Sequence, residues 1–269
     1  MSYMMNYIWK EWLEISRGKA FWFFLTLIVV TSFSIFLNAK DLPFEQGFEI
    51  FLLLLFEMDI YLIPLLCIFF ASFSMIQEKE LKTLVMMLAK SDSFGRFLWK
   101  KSVAIQFITI ATFVVWYLIL AIPVKFLFQF HPNHFLYFLV TVIILVLIFN
   151  QIGLFLGSVC NTKIQLIGAN IFVLFFFLYL YDFILLYFLP KVTYENVKLF
   201  SVFYFLHPLH TLRFYLETSM NVFSLDYLSR TMEKFFSFPP LALLAVNISV
   251  WVILIFFVSV WLYRKGEQG

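Results

Sequence analysis

The sequence predicts an all-α, polytopic membrane protein with six transmembrane helices, and three observations predict it. Hydrophobic residues make up 63% of the chain and charged residues 13%, against roughly 45–50% and about 25% in a soluble globular domain; the mean hydropathy is +0.95. The apolar residues fall in near-continuous runs of roughly 18–27, which suits a helix crossing a hydrocarbon core of about 30 Å. None of the runs alternates as barrel strands do, and 39 Phe against 8 Gly and 8 Pro also favour helices, which satisfy their own backbone in lipid. Residues 1–269 form a single transmembrane domain.

Residues 1–19 predict an interfacial helix, with Met5, Ile8, Trp12 and Ile15 on one face and Lys10, Glu14 and Arg17 on another. Tryptophans 9 and 12 suit the membrane interface. A cleavable signal peptide is not expected, because the apolar run begins only after residue 19 and no small-residue cleavage site follows it. Spans are expected at about Ala20–Leu37, Ile50–Ile76, Ser102–Phe128, Phe135–Val159, Ile164–Leu189 and Leu241–Tyr263. Glu57 and Asp59 interrupt the second run and are expected at its outer rim, within reach of water. Residues 190–240 form a long mixed segment, with a short helix expected at Leu209–Thr218 that turns Leu212, Tyr215 and Leu216 to the membrane or to an external subunit.

Residues 77–101 are the one long charged stretch between apolar runs and hold six of the nineteen Lys and Arg residues. Leu81, Leu84, Val85 and Leu88 fall at i, i+3, i+4 and i+7, the spacing of one face of a short amphipathic helix. Such a face can lie in the headgroup layer, seat against a soluble partner, or pack on the protein's own spans. Basic residues near span ends set orientation. Twelve lie in the N-terminal segment, the 77–101 segment, Lys163 and the tail, against two on the other side once the long 190–240 segment is set aside. Both termini and residues 77–101 are therefore expected to be cytoplasmic, and residues 190–240 external.

Cys67 and Cys160 lie in or beside spans without a CxxC pattern and are expected to act as small buried hydrophobes. Asp182 is a carboxylate within a long apolar run, a placement that costs about 2.5–3.5 kcal/mol at mid-membrane; snorkelling, translocation and partner contact all fit it. Asn150, Gln151, Asn170 and Asn247 are expected to bond between helices. His207 and His210 stand at i, i+3, but two His without a firm third ligand favour packing over a metal site. All four His, with Glu78 and Glu80, are expected at span ends or in loops, which disfavours an intramembrane protease-like enzyme. No GxxxxGK[ST] occurs, so a nucleotide-binding P-loop is absent from this sequence.

The run Glu78-Lys79-Glu80-Leu81-Lys82-Thr83-Leu84, followed by Leu88, Arg96 and Lys100/Lys101, resembles the cytoplasmic coupling helix of permease subunits in the type-2 ABC exporter superfamily. The layout does too: an interfacial helix, six spans, a coupling segment between spans two and three and a long segment before span six. Lys82 stands where that pattern usually has Gly, and Lys90-Ser91-Asp92 where it usually has Pro. Tyr181-Asp182-Phe183-Ile184-Leu185-Leu186 and Leu206-His207-Pro208 with Arg213-Phe214 are similar to the membrane subunits of nitrous oxide reductase maturation transporters, with His207 in place of an Asn.

The resemblance implies a homodimer in the bacterial inner membrane, contacted by two copies of a separate cytoplasmic ATPase that carries the ATP and Mg; this chain itself would bind no cofactor or metal and be no enzyme. It also implies a periplasmic copper-chaperone-like subunit on the external face and a role in assembling the reductase's copper-sulfur centre. Glu78, Glu80, Leu81, Thr83, Leu84, Leu88 and Arg96 are the expected ATPase contacts, and Asp182, His207 and Arg213 the expected translocation or partner contacts. A non-transporting membrane assembly factor is the remaining alternative.

Overall fold

The computed structural model describes residues 2–39, 42–44, 47–81, 93–222, 235–236 and 238–266. In chain order these form α1 (Ser2–Arg17), α2 (Lys19–Asn38), α3 (Gly47–Glu80), α4 (Phe94–Leu127) and α5 (Pro132–Val159). Next comes α6 (Lys163–Phe175), which continues through a π turn, Phe176–Leu180, into α7 (Tyr181–Phe188) and a 3-10 turn, Leu189–Lys191. Two short helices follow, α8 (Val197–Leu206) and α9 (Pro208–Ser219); α10 (Pro240–Ile248) then runs through a second π turn, Ser249–Leu254, into α11 (Ile255–Gly266). No strand occurs among the described residues. Six helical stretches are long and apolar enough to cross a membrane: Phe21–Asn38, Gly47–Glu80, Phe94–Leu127, Pro132–Val159, Lys163–Lys191 and Pro240–Tyr263. The chain is a multi-pass membrane protein.

Chain reversals follow local chemistry. Proline opens α5, α9 and α10, where its missing N–H costs no helical bond. Ser93 caps α4 by accepting from the Arg96 N–H at 3.4 Å, and Thr162 caps α6 by accepting from the Gln165 N–H at 3.3 Å. The Lys79 ammonium donates to the Ser158 and Cys160 carbonyls at 2.5 and 2.9 Å, closing the C-terminal end of α5 with the charge its dipole favours.

The centre of the bundle is α5. Buried residues make up 72% of its most apolar window, against 11% for the Lys163–Lys191 span. Its principal partner is α3, and the two backbones approach at Gly153 and Gly157. A Cβ at Gly153 would stand 2.7 Å from the Ile68 carbonyl oxygen and 2.9 Å from Ala71 Cβ, and one at Gly157 2.7 Å from Met75 Cβ and the Ser72 carbonyl oxygen. This is a small-xxx-small seam, in which dispersion between close backbones replaces the hydrophobic drive that lipid does not supply. The polar glue lies along the same helices. Asn150 Nδ2 donates to Thr109 Oγ1 at 2.7 Å, Ser102 Oγ to Gln151 Oε1 at 2.9 Å, and Asn170 Nδ2 to Ser72 Oγ at 2.8 Å. Both cysteines are buried.

Three expectations need correction. Asp59 is not at a watery rim: it is the thirteenth residue of α3, fully buried, and accepts from the Tyr117 hydroxyl at 2.5 Å. Within 190–240, the two helices Val197–Leu206 and Pro208–Ser219 do not lie outside the bundle. Helix α8 runs back into it and α9 returns, with His207 and Pro208 at the apex. His207 Nε2 lies 2.9 Å from the Phe177 carbonyl oxygen, and Trp251 Nε1 donates to the Leu206 carbonyl at 3.0 Å. Phe177 is fifteenth of the 29 residues of its span and Trp251 twelfth of the 24 of its own, so the apex sits at mid-span depth, and His207, in the bend between the two helices, is a loop residue within the bundle. Third, Leu212, Tyr215 and Leu216 of α9 face inward, joining the core with Leu209 and Met220.

A re-entrant hairpin exposes the last carbonyls of its descending helix where no water can reach, and each needs a partner. The partners are side chains. Tyr181 donates to the Phe203 carbonyl at 2.5 Å, Thr211 and Asn247 to that of Phe205 at 2.5 and 2.7 Å, and Trp251 to that of Leu206. Both flanking spans carry a π turn at this level; in the first the Tyr181 N–H bonds to the Phe176 carbonyl.

Gly157→Val drives a branched side chain into the Ser72 carbonyl and Met75, costing about 1–3 kcal/mol. It lowers the thermal unfolding midpoint in detergent, followed by fluorescence-detected size exclusion. Gly168→Ala, whose Cβ meets nothing within 4 Å, leaves that midpoint in place.

Candidate functional site

At the end of the bundle that carries α1, the segment of residues 82–92 is flanked by the last turn of α3 and the first turns of α4. Three apolar stripes converge there, and each carries one charge in register. On α1 the stripe Ile8, Trp12 and Ile15, packed on Phe21 and Ile108, includes Glu11. On α3 it is Ala71 and Met75, then Glu78; on α4 it is Phe94, Phe97 and Leu98, then Lys101. Lys101 Nζ donates to Glu11 Oε1 and Oε2 at 3.1 and 3.3 Å and to Glu78 Oε1 at 2.8 Å. The side chains of Lys101 and Glu11 have no exposure and that of Glu78 has 4%. Ser74 Oγ donates to Glu11 Oε2 at 3.2 Å, and Lys10 Nζ bridges Glu78 at 3.2 Å and Glu14 at 3.1 Å.

Electrostatics keep Glu11 and Lys10 charged. Burial pushes the Glu11 carboxyl up, but Lys101 and Lys10 outweigh it and hold it below its ordinary value. Burial likewise pulls the Lys10 ammonium down, and Glu11, Glu78 and Glu14 outweigh that to raise it. Oxygens of Glu11, Glu14 and Glu78 come within 4.8 Å of one another, a spacing that suits a metal ion, but two lysine ammonium groups already supply the positive charge. The arrangement is a clamp: one buried cation ties α1 to both helices that flank residues 82–92.

The expected ATPase contacts divide around it. Glu78, expected to face outward, is turned into the clamp. Glu80 is exposed and pairs with Lys163 at 2.5 Å, Leu81 is 62% exposed, and Arg96 lies at the surface in the first turn of α4. Thr83, Leu84 and Leu88 lie outside the described residues. Sequence reasoning missed Glu11 and the inward role of Lys101. The available signal was register, since each charge continues an i, i+3/i+4 apolar stripe. Met5, grouped with the packing face of α1, is 64% exposed.

A second polar group surrounds the hairpin. Arg213 on α9 contacts Glu57 on α3 at 2.8 Å and Glu217 at 3.0 Å. His210 Nε2 lies 2.8 Å from Asp182 Oδ1 on α7, and its ring stacks on Tyr204 with centroids 4.3 Å apart. The His207 and His210 rings lie 4.5 Å apart, but the Nε2 of His207 already meets a carbonyl and that of His210 faces Asp182. Among the described residues no third His, Cys, Asp or Glu joins them at ligand spacing. Asp182, His207 and Arg213 are thus gathered around one hairpin, the first two joining it to the Lys163–Lys191 span and the third to α3. Comparison with known protein families and with curated proteins yields no match to this chain.

Lys101→Met removes the cation from two buried carboxylates and destabilises the protein by about 3–5 kcal/mol, seen as a lower unfolding midpoint that Glu11→Gln in the same chain partly restores. The depressed Glu11 acidity also sets a pH dependence. Its stabilisation is complete at neutral pH and is lost as pH falls through the lowered folded-state value. Hydrogen-exchange protection of residues 2–17, corrected for the intrinsic rate at each pH, therefore falls in acid, below the ordinary carboxylate range, while protection in α5 does not.

Proposed function

We propose that this chain is the membrane-spanning permease subunit of a type-2 ABC transporter, moved by ATPase subunits encoded separately. The observation that carries the reading is the buried clamp. A partner that displaces residues 82–92 pulls on the ends of α3 and α4, and Lys101 makes α1 follow. An amphipathic helix seated in a groove of a closing ATPase is a physical route for that force, with Leu81, Leu84 and Leu88 as its apolar contacts and Glu80 and Arg96 beside them. Helix α3 then carries the motion to Glu57 and, through Arg213, to the re-entrant hairpin.

The resemblance of residues 78–84 and 181–186 supports a narrower form. In it, two copies of the chain sit in a bacterial inner membrane with both termini and residues 77–101 on the cytoplasmic side. They bind two ATPase subunits there and a copper-chaperone-like protein on the other face, in service of copper-sulfur centre assembly in nitrous oxide reductase. Cofactor chemistry, ATP with Mg, belongs to the ATPase.

Purification from the native host in a mild detergent, with companions identified by mass spectrometry, tests the reading. An ATPase co-purifies with the wild-type chain and is lost with Leu84→Asp, while elution and unfolding of the variant stay unchanged. Wild-type protein that brings down no ATPase, or a Leu84→Asp variant that retains it, overturns the proposal. A copper-binding companion in the same eluate supports the narrower form.

A further inference from the structure

Helix α7 stands away from the hairpin, leaving a cavity of about 480 Å³, within the size range of small-molecule sites. Its walls are apolar, with Leu186, Phe200 and Phe236 among them, and Asp182, Tyr204 and His210 line it as well. The Asp182 side chain remains 49% exposed although its Oδ1 meets His210. Around that polar part three carboxylates, Asp182, Glu57 and Glu217, accompany one guanidinium, Arg213, and one imidazole, His210. Among the described residues, even with the imidazole protonated, the group is short of one positive charge. A half-exposed carboxylate on an apolar span whose neighbours Phe183, Leu186 and Tyr187 are also exposed is costly without a counter-charge.

Beside it, sharing Leu185, Val192 and Phe200, lies a cavity of about 410 Å³, lined also by Tyr181, Phe188 and Phe203, with Lys191 and no carboxylate. The two share size and apolarity. What separates them is the sign of the charge.

We propose that the cavity between α7 and the hairpin binds an amphipathic cation, an alkyl chain bearing a protonated amine, with the ammonium on Asp182 and the chain along Leu186, Phe200 and Phe236. The ammonium supplies the missing positive charge through a charge-assisted hydrogen bond, and the apolar walls take the chain. The site does not require an ATPase, so its failure leaves the proposed function standing, and the reverse also holds.

The test uses the full chain in nanodiscs of phosphatidylglycerol, which has no amine, with a diazirine-bearing hexadecylamine as probe and the matched alcohol as control. The amine labels α7 and α8 around Leu186 and Tyr204, which line this cavity and not its neighbour, and Asp182→Asn weakens half-saturation about tenfold, as loss of one charge-assisted bond requires. The alcohol labels weakly and does not respond to Asp182→Asn. Leu186→Trp fills the cavity without touching a charge and abolishes labelling at an unchanged unfolding midpoint.

Competition by added phosphatidylethanolamine supports the site with a lipid headgroup as the source of the amine; its absence supports it with a free amphiphile. Equal labelling by amine and alcohol, labelling indifferent to Asp182→Asn, or labelling at the Lys191 cavity instead overturns the proposal. So does rapid disulfide formation between two Leu186→Cys chains that the amine does not slow, which makes this face an interface between copies.

Discussion

A helix that turns back within a membrane leaves its last carbonyls without partners, and lipid offers none; this constraint shapes the half of the molecule that follows α5. The descending arm of the hairpin ends at Leu206, and the carbonyls of Phe203, Phe205 and Leu206 each accept from a side chain on a neighbouring element. An unpaired buried acceptor costs on the order of 1–3 kcal/mol. The four donors, Tyr181, Thr211, Asn247 and Trp251, are therefore placed by the same requirement that places the hairpin. Their elements become one assembly, and the polar pairs of Asp182 with His210 and Glu57 with Arg213 lie on its flanks.

At the other end a different solvation problem has a similar solution. Lys101, Glu11 and Glu78 are charges taken out of water, tolerable because each is paired with good geometry. Helix α3 reaches both places. Glu57 and Glu78 are 21 residues apart on it, about 32 Å at 1.5 Å per residue, and between them its Ile68, Ala71, Ser72 and Met75 lie on the glycines of α5. That seam ties α3 along its length to the most buried helix of the bundle. In the proposed mechanism it makes α3 a stiff connection between the coupling segment and the hairpin.

Much of the fold was legible because span length and continuous apolarity are written in composition. All six spans appear where the runs predict them, although α3 and α4 extend beyond their apolar cores to Glu80 and from Phe94. The amides Asn150, Gln151, Asn170 and Asn247 also bond between elements as polar residues within apolar runs should. Where charge was judged by type alone, the reading failed. Asp59 looked like a rim carboxylate, but it faces Tyr117, 58 positions away, a pairing that no local pattern reveals. The hairpin was missed because ten apolar residues, Val197–Leu206, are too short to cross, and nothing in a single segment says that Phe177 and Trp251 will meet its tip. The clamp was within reach, since its charges keep helical register with apolar stripes, but a basic run at a span end reads first as a surface.

The π turn at Phe176–Leu180 has a bearing on how this chain tolerates change. Such a turn is the mark of one surplus residue accommodated within a continuous helix. Were the ladder to close as ordinary α-helix with every residue kept, each position downstream would swing by about 100° around the axis. Asp182 would then leave His210, and Tyr181 the Phe203 carbonyl, without any residue of the hairpin having been altered. The surplus residue thus acts as a phase setting for the outer half of the span, and a chain that keeps the hairpin contacts without the π turn should be one residue shorter here.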